Sequence, residues 1–311
     1  MRILFAGTPL VAVPSLQALS DAGFDIAAVL TRVDAPLGRK KVSTPSPVAS
    51  RAEELGLPVI KANRFDDTVI AELDALALDA AAIVAYGGLV PEQALTIPMH
   101  GWINLHFSLL PAWRGAAPVQ HAVLNGDDIT GASTFRLEEG LDTGPVFGSM
   151  TETLHPADTS GEVLDRLSVS GAVLLVQTLS AIDAGGVEAQ PQQGGITLAP
   201  KITIADARID WNQPAVAVRR RINAVTPEPG AWTIAGGQRI KLGPVTPSAE
   251  TTDHSQQAVP PGRVLVQGND VVVGTGTVPV LLRWVQPAGK KMMDAPAWAR
   301  GALAHGGLVF E

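Results

Sequence analysis

The chain has 311 residues, 46% hydrophobic and 17% charged, a make-up that excludes a disordered polypeptide and a length that favours two packed domains over one. It contains no cysteine, which removes disulfides, thiolate nucleophiles and cysteine-ligated zinc or iron–sulfur centres and fits a cytosolic chain. The net charge of −7 is uneven: residues 206–311 carry 11 Lys and Arg against 8 Asp and Glu, leaving 12 against 22 in residues 1–205, so the second half is the one suited to meet a polyanion.

The first apolar run, 3–6, predicts a buried strand that reaches a glycine at Gly7, too soon for a signal-peptide apolar region. A helix is expected over 14–22, with Pro14 near its start and Gly23 just past its end. Then follow a strand over 26–30, a helix over 47–55, a strand over 58–60, a helix over 66–76 and an apolar strand over 80–85. Strands that are apolar throughout and separated by helices predict a doubly wound, mostly parallel sheet covered on both faces. A strand over 101–106, a helix over 117–124 and strands over 132–137 and 146–150 continue the domain, and a long helical pattern runs over 161–184. Its most apolar part, 172–182, is interrupted by Gln177 and Ser180 and reads as too short for a membrane span.

Residues 185–201 are rich in Gly, Gln and Pro and lack periodicity, which is linker chemistry. Beyond them come a helix over 215–225 and short strands over 231–234, 239–245, 263–266, 271–274 and 280–285, the pattern of a small β-barrel of OB type. The polar, Pro-rich stretch 246–261 is expected to be a mobile loop. The domain division is therefore 1–184, a linker over 185–205, and a barrel over 206–311. An open α/β sheet binds its ligand at the carboxyl ends of its strands. The loop after the first strand, Gly7-Thr8-Pro9, lacks the glycine spacing of a dinucleotide site, which disfavours a nicotinamide cofactor.

Asn104-Leu105-His106 stands at such a strand end, and residues two apart project from one face. An amide that donates to an oxyanion and an imidazole that moves a proton near neutral pH are thereby aimed together. Taken alone, Asn-x-His reads first as two satisfied polar groups at a strand end. Asp142, in the glycine-flanked run Gly140-Leu141-Asp142-Thr143-Gly144-Pro145, taken alone reads first as an Asp serving a tight turn. In Ser108-Leu109-Leu110-Pro111, two leucines supply apolar surface and a proline fixes a turn, which suits either a flat ring ligand or core packing. Arg39-Lys40-Lys41, between Gly38 and Pro45, reads as a solvated basic loop or a phosphate contact.

In their order along the chain, Asn104-x-His106, Ser108-Leu109-Leu110-Pro111 and Asp142-Thr143-Gly144-Pro145 resemble the folate-dependent formyltransferases. Further elements resemble the branch of that family that formylates methionyl-tRNA: Phe5-Ala6-Gly7-Thr8-Pro9, Pro36-Leu37-Gly38-Arg39-Lys40-Lys41, Pro45-Ser46-Pro47, Val84-Ala85-Tyr86-Gly87, a second domain, and Ala207-Arg208-Ile209-Asp210-Trp211 after the linker. The resemblance implies transfer of a formyl group from 10-formyltetrahydrofolate to the α-amine of methionyl initiator tRNA, through a tetrahedral intermediate and without a metal. By the same resemblance Asn104, His106 and Asp142 are catalytic, and Ser108, Leu109, Leu110, Pro111, Tyr86 and Gly87 form the folate pocket. It also implies that the insertion with Arg39, Lys40 and Lys41 meets tRNA; Lys201 in the linker and Arg219, Arg220 and Arg221 are further candidate phosphate contacts, although the three arginines cannot all share one helix face. A monomer acting in the cytoplasm and off membranes is expected. The basic insertion departs slightly from the family pattern, with Val42-Ser43-Thr44 before Pro45. Two alternatives remain open. A formyltransferase acting on a free amine, such as an amino sugar nucleotide, needs neither the Arg39 loop nor a basic second domain, and a catalytically silent RNA-binding protein does not need the three polar groups together.

Overall fold

The computed structural model describes residues 1–38, 41–245, 259–304 and 307–311. Two compact units account for the chain. The first comprises residues 1–115, 130–152 and 164–198, the second residues 116–129, 153–163 and 199–311. Neither unit is contiguous in sequence.

The first part of the chain runs through β1 (Arg2–Gly7), α1 (Val13–Asp21), β2 (Asp25–Thr31), β3 (Ala35–Leu37), β4 (Val42–Thr44), α2 (Pro47–Glu54), β5 (Val59–Lys61), α3 (Asp67–Asp74), β6 (Ala80–Val84), α4 (Glu92–Leu95) and β7 (Trp102–His106). It continues with α5 (Pro118–Asn125), β8 (Ile129–Arg136), β9 (Val146–Thr153) and α6 (Ser160–Asp183). Seven strands form one sheet in the order β5-β2-β1-β6-β7-β8-β9. Neighbours from β5 to β7 are parallel, and β8 runs antiparallel to β7. The parallel strands are buried along nearly their whole length, as their unbroken apolar runs require.

Local chemistry fixes the helix starts. Ser46 caps α2 by accepting from the Ala49 N–H at 3.0 Å, with Pro47 at the first helical position. Asp66 caps α3 by accepting from the Val69 N–H at 3.0 Å. Trp102 is 1% exposed, and its indole N–H donates to the Ala94 carbonyl at 2.7 Å, so β7 is anchored immediately before the site it carries.

Two expectations need amending. The basic insertion is not a plain loop: β3 and β4 pair as a small antiparallel hairpin, with Leu37 opposite Val42. Pairing there is local, and Pro36, Ser43 and Thr44 carry too little apolar surface to signal a strand. The long helix α6 has 24 residues and is long and apolar enough to qualify as a membrane span by length and composition, unlike the shorter stretch read from sequence. It is nonetheless packed as a core helix, with Leu167, Ala172, Leu175, Leu179 and Ile182 buried. Gly171 lies against Leu105 of β7, where an added Cβ would come within 3.1 Å of the leucine side chain. The Thr178 and Thr134 hydroxyls share a hydrogen bond of 2.8 Å.

The later elements are α7 (Ala215–Ala224), β10 (Trp232–Ala235), β11 (Gln238–Leu242), β12 (Arg263–Gln267), β13 (Asp270–Val273), β14 (Val280–Leu282), β15 (Trp284–Pro287), β16 (Met293–Asp294), α8 (Ala295–Ala302) and β17 (Leu308–Val309). They form two four-stranded antiparallel sheets, β10-β11-β15-β16 and β14-β13-β12-β17. The expected single strand over 280–285 turns at Arg283 and serves one sheet before it and the other after it. At the other edge Ala235 bridges Phe310, and the Glu311 N–H donates to the Ile234 carbonyl at 2.9 Å. The sheets are thus joined by that bridge and by the chain passing from β14 to β15, and they enclose a barrel-like core around Trp211, Ile240, Val271, Val285 and Phe310. Of the expected 246–261 loop, residues 246–258 lie outside the described residues.

Candidate active site

β7 ends at His106, and the next residues, Phe107 to Gly115, form a tight loop. Its shape is set from β8, because the antiparallel register brings Ser133 opposite His106. The buried Ser133 hydroxyl donates to the Ser108 carbonyl at 2.7 Å and accepts from the Leu110 N–H at 3.2 Å. The Ser108 hydroxyl donates to the Ala112 carbonyl at 2.6 Å. Ser108 is buried, while Leu109 and Leu110 stay partly exposed, so this turn offers apolar surface with the Ser108 hydroxyl and carbonyl and the Leu110 N–H already hydrogen-bonded.

His106 is 7% exposed, with its ring edge-on to Phe135. Its Nε2 lies 3.0 Å from the Trp113 carbonyl oxygen. A carbonyl only accepts, so Nε2 carries the hydrogen and Nδ1 holds the lone pair in the neutral ring. Nδ1 faces Asp142 Oδ2 at 3.8 Å. Burial pushes the imidazole pKa below its ordinary value, and the attraction of Asp142 and the hydrogen bond to Trp113 oppose this without overcoming it. The lowered pKa favours the neutral ring, whose free nitrogen points at a carboxylate, and with Nε2–H taken by Trp113 the ring could donate from Nδ1 only once protonated there. A proton arriving at Nδ1 would be met by charge.

Asp142 lies in the turn between β8 and β9, with a left-handed backbone at φ 50°. Its Oδ2 accepts from the Gly115 N–H at 2.7 Å, so the loop after β7 holds the carboxylate directly. The turn is closed at its base, where the Arg136 N–H donates to the Pro145 carbonyl at 3.0 Å. Gly144 has to be glycine, since a Cβ there would collide with the Arg136 carbonyl oxygen.

Asn104 shares a strand face with His106, and its carboxamide makes no hydrogen bond among the described residues. An amide left free beside a histidine held only at Nε2 is available to a ligand oxygen. Tyr86 is 2% exposed, and its hydroxyl donates to the Ala62 carbonyl at 2.7 Å. That ring is core, so Tyr86 can reach a ligand only through its backbone; burial raises its phenol pKa. Gly87 is exposed, and its carbonyl accepts from Arg32 Nη1 at 2.6 Å.

Of the basic candidates, Arg39 and Lys40 lie outside the described residues, while Lys41 is exposed in the hairpin turn and Lys201 is exposed in the second unit. Arg220 and Arg221 are engaged with their own fold: Arg220 Nη1 donates to the Asn125 carbonyl at 3.0 Å and Arg221 Nη1 to the Asp206 carbonyl at 2.8 Å. Arg219 Nε is buried without a hydrogen-bond partner among the described residues, beside an open cleft lined also by Asp127, His155 and Asp158. That cleft lies in the second unit and holds none of Asn104, His106 and Asp142.

Ser133 and Gln192 also shape the site and carry no sequence signal. Ser133 is one of three hydroxyl residues in its strand, with Thr130 and Thr134, and nothing local singles it out; Gln192 belongs to a stretch with the composition of a linker.

Residues 1–179 match the family profile described as formyl transferase, and residues 201–303 match that of the formyl transferase C-terminal domain. Over all 311 residues the chain is 66% identical to a methionyl-tRNA formyltransferase of Arthrobacter sp. (strain FB24), with 100% of both chains covered. It also superposes on a methionyl-tRNA formyltransferase from Clostridium thermocellum with a TM-score of 0.59 at 14% identity, covering 92% of this chain and 98% of that one. An N-formyltransferase from Helicobacter canadensis in complex with folinic acid and dTDP-3-aminofucose gives a TM-score of 0.64 at 16% identity, covering 92% and 98%. At those identities the two structures share the fold alone.

Proposed function

This chain belongs to the formyltransferase family, with a methionyl-tRNA formyltransferase as a full-length relative, and on that premise we propose how its residues carry a formyl group from 10-formyltetrahydrofolate to the α-amine of methionyl-tRNA. The site assignment is carried by one observation: a buried imidazole, pinned at Nε2, turns Nδ1 to a carboxylate 3.8 Å away, beside an amide with no hydrogen-bond partner among the described residues.

The folate supplies an activated formyl carbon, which the amine attacks directly. No nucleophilic side chain is needed, since an α-amine with a pKa of about 8 keeps a neutral fraction at physiological pH. Asn104 donates to the formyl oxygen as negative charge builds there. His106 Nδ1 takes the proton that the attacking nitrogen sheds, and Asp142 stabilises the resulting imidazolium. The proton then passes to the folate nitrogen as its bond to the formyl carbon breaks. One C–N bond forms, one breaks, and the proton leaving the first nitrogen ends on the second. The Trp113 carbonyl keeps the ring in the required tautomer throughout.

The residues fit such a donor. The partly exposed Leu109 and Leu110 offer apolar surface on a turn fixed by Ser133, and the Asn104 amide, unpaired among the described residues, offers the polar contact. Arg39, Lys40, Lys41 and Lys201 serve the tRNA, and residues 206–311 form a basic platform for its backbone. On this reading the chain acts as a monomer in the cytoplasm, off the membrane. The test is to incubate the protein with 10-formyltetrahydrofolate and either charged initiator tRNA or an amino sugar nucleotide. Formylation of the tRNA alone is expected; formylation of the sugar alone would transfer the chemistry to the free-amine reading.

A further inference from the structure

Residues 190–198 have the composition of a linker, yet they run along both catalytic loops as an ordered strap. Gln190 and Val146 exchange two backbone hydrogen bonds of 2.8 Å just after the Asp142 turn. Further along, the Thr197 carbonyl accepts from the Arg114 N–H at 2.9 Å, and its hydroxyl accepts from the Trp113 N–H at 2.8 Å. The strap therefore grips the Asp142 turn at one end and the loop after β7 at the other.

Between these grips lies Gln192, with all four of its side-chain bonds made inside the site. Its Oε1 accepts from Arg114 Nε at 3.1 Å and from Nη2 at 2.7 Å. Its Nε2 donates to the Asp142 carbonyl at 2.8 Å and to the Gly144 carbonyl at 2.7 Å. The Arg114 side belongs to the loop whose Trp113 carbonyl fixes the His106 tautomer and whose Gly115 N–H holds the Asp142 carboxylate. The other side is the backbone of Asp142 itself, in a left-handed conformation that a non-glycine residue keeps only when its surroundings hold it.

We infer that Gln192 is a positioning residue for the formyl transfer, a two-sided amide clamp that sets the Asp142 carboxylate against His106 by tying the loop after β7 to the Asp142 turn. This rests on the catalytic roles proposed above. An amide is the side chain suited to the position: one end must accept from a guanidinium while the other donates to two carbonyls. Glutamate keeps the first end and sets an acceptor against two acceptors at the second. Leucine, of similar size, loses both.

The experiment compares wild-type protein with Gln192→Leu and Gln192→Glu, each checked for an unchanged unfolding midpoint. It reads kcat, KM for the folate donor and, by NMR, the titration of the His106 ring, assigned by its loss in His106→Asn. The groups on that ring are the Asp142 carboxylate, the Trp113 carbonyl and the Phe135 edge, so displacing Asp142 removes the negative charge that raises its pKa. Expected are a fall in kcat of about tenfold to a hundredfold in both variants, as for a misplaced catalytic group, and a donor KM within about threefold. The His106 midpoint should move further below its ordinary value in Gln192→Leu. Unchanged kcat and titration, or an effect confined to the donor KM, would overturn the clamp. Absence of formylation by the wild-type protein would instead overturn the reaction, and the His106 titration would still decide whether Gln192 sets Asp142.

Discussion

Asp142→Asn is the sharpest perturbation of the site, because it removes one charge and almost no volume. The asparagine oxygen can still accept from the Gly115 N–H, as Oδ2 does now at 2.7 Å, so the turn is retained. What changes is the field at His106 Nδ1. Across 3.8 Å, a unit charge opposite an imidazolium is worth about 4 kcal/mol at an effective dielectric of about 20 and about 1 kcal/mol in water. His106 and Asp142 are both largely buried, which argues for the upper part of that range. Each 1.36 kcal/mol is about tenfold in rate or one pKa unit, so turnover should fall between about tenfold and a thousandfold. The His106 pKa, already lowered by burial, should fall further for the same reason. Single-turnover formylation measured across pH, alongside urea unfolding of both proteins, separates lost chemistry from lost structure. If the variant folds normally and turns over within about threefold of wild type at every pH, Asp142 does not charge His106 and the proposed proton route is wrong.

Asn104→Ala should lower kcat by about a hundredfold, the usual cost of one oxyanion donor, with folate binding by equilibrium titration largely unchanged. His106 also makes stability pH-dependent: its folded pKa lies below the unfolded value of about 6.5, so the unfolded chain takes up the proton first, and native stability is full above about pH 6.5 and declines as pH falls from there toward the folded value. Urea midpoints measured through this window should decline in wild type and lose that component in His106→Gln; parallel curves would mean the ring is not held neutral. Arg39→Ala should reduce kcat/KM for charged tRNA while leaving donor affinity in place, and equal damage to folate binding would put the insertion in the donor pocket. Each phosphate contact made by residues 206–311 should add roughly 0.7–0.9 to the log–log salt slope of tRNA binding, so a chain shortened to residues 1–205 should give a flatter slope, and identical slopes would remove the barrel from the interface.

The parallel sheet was legible because its strands are buried on both faces and read as continuous apolar runs, of which 80–84 is the plainest. Asn104 and His106 were legible because strand alternation sets them on one face whatever the tertiary detail. Asp142 was recognisable by its motif, while its distance from His106 depends on a turn that no local pattern specifies. Three features were not readable. The His106 tautomer is set by a backbone carbonyl, which has no sequence identity. The neutral resting state follows from burial among residues distant in sequence. Gln192 lies in a Gly-, Gln- and Pro-rich run whose order comes from hydrogen bonds to residues about fifty to eighty positions earlier, and composition reports only local preference. The hairpin of β3 and β4 was missed for the opposite reason, since its pairing is local but carries almost no apolar alternation.

Formyl transfer to methionyl-tRNA is proposed to run through Asn104, His106 and Asp142. It is tested most directly by hydrolysing the aminoacyl ester after incubation with 10-formyltetrahydrofolate and identifying the released amino acid, for wild type and for Asn104→Ala/His106→Ala. Formylmethionine is expected from the wild-type reaction and almost none from the double variant at equal folate occupancy. Unmodified methionine from the wild type, or comparable formylmethionine from both proteins, would contradict it.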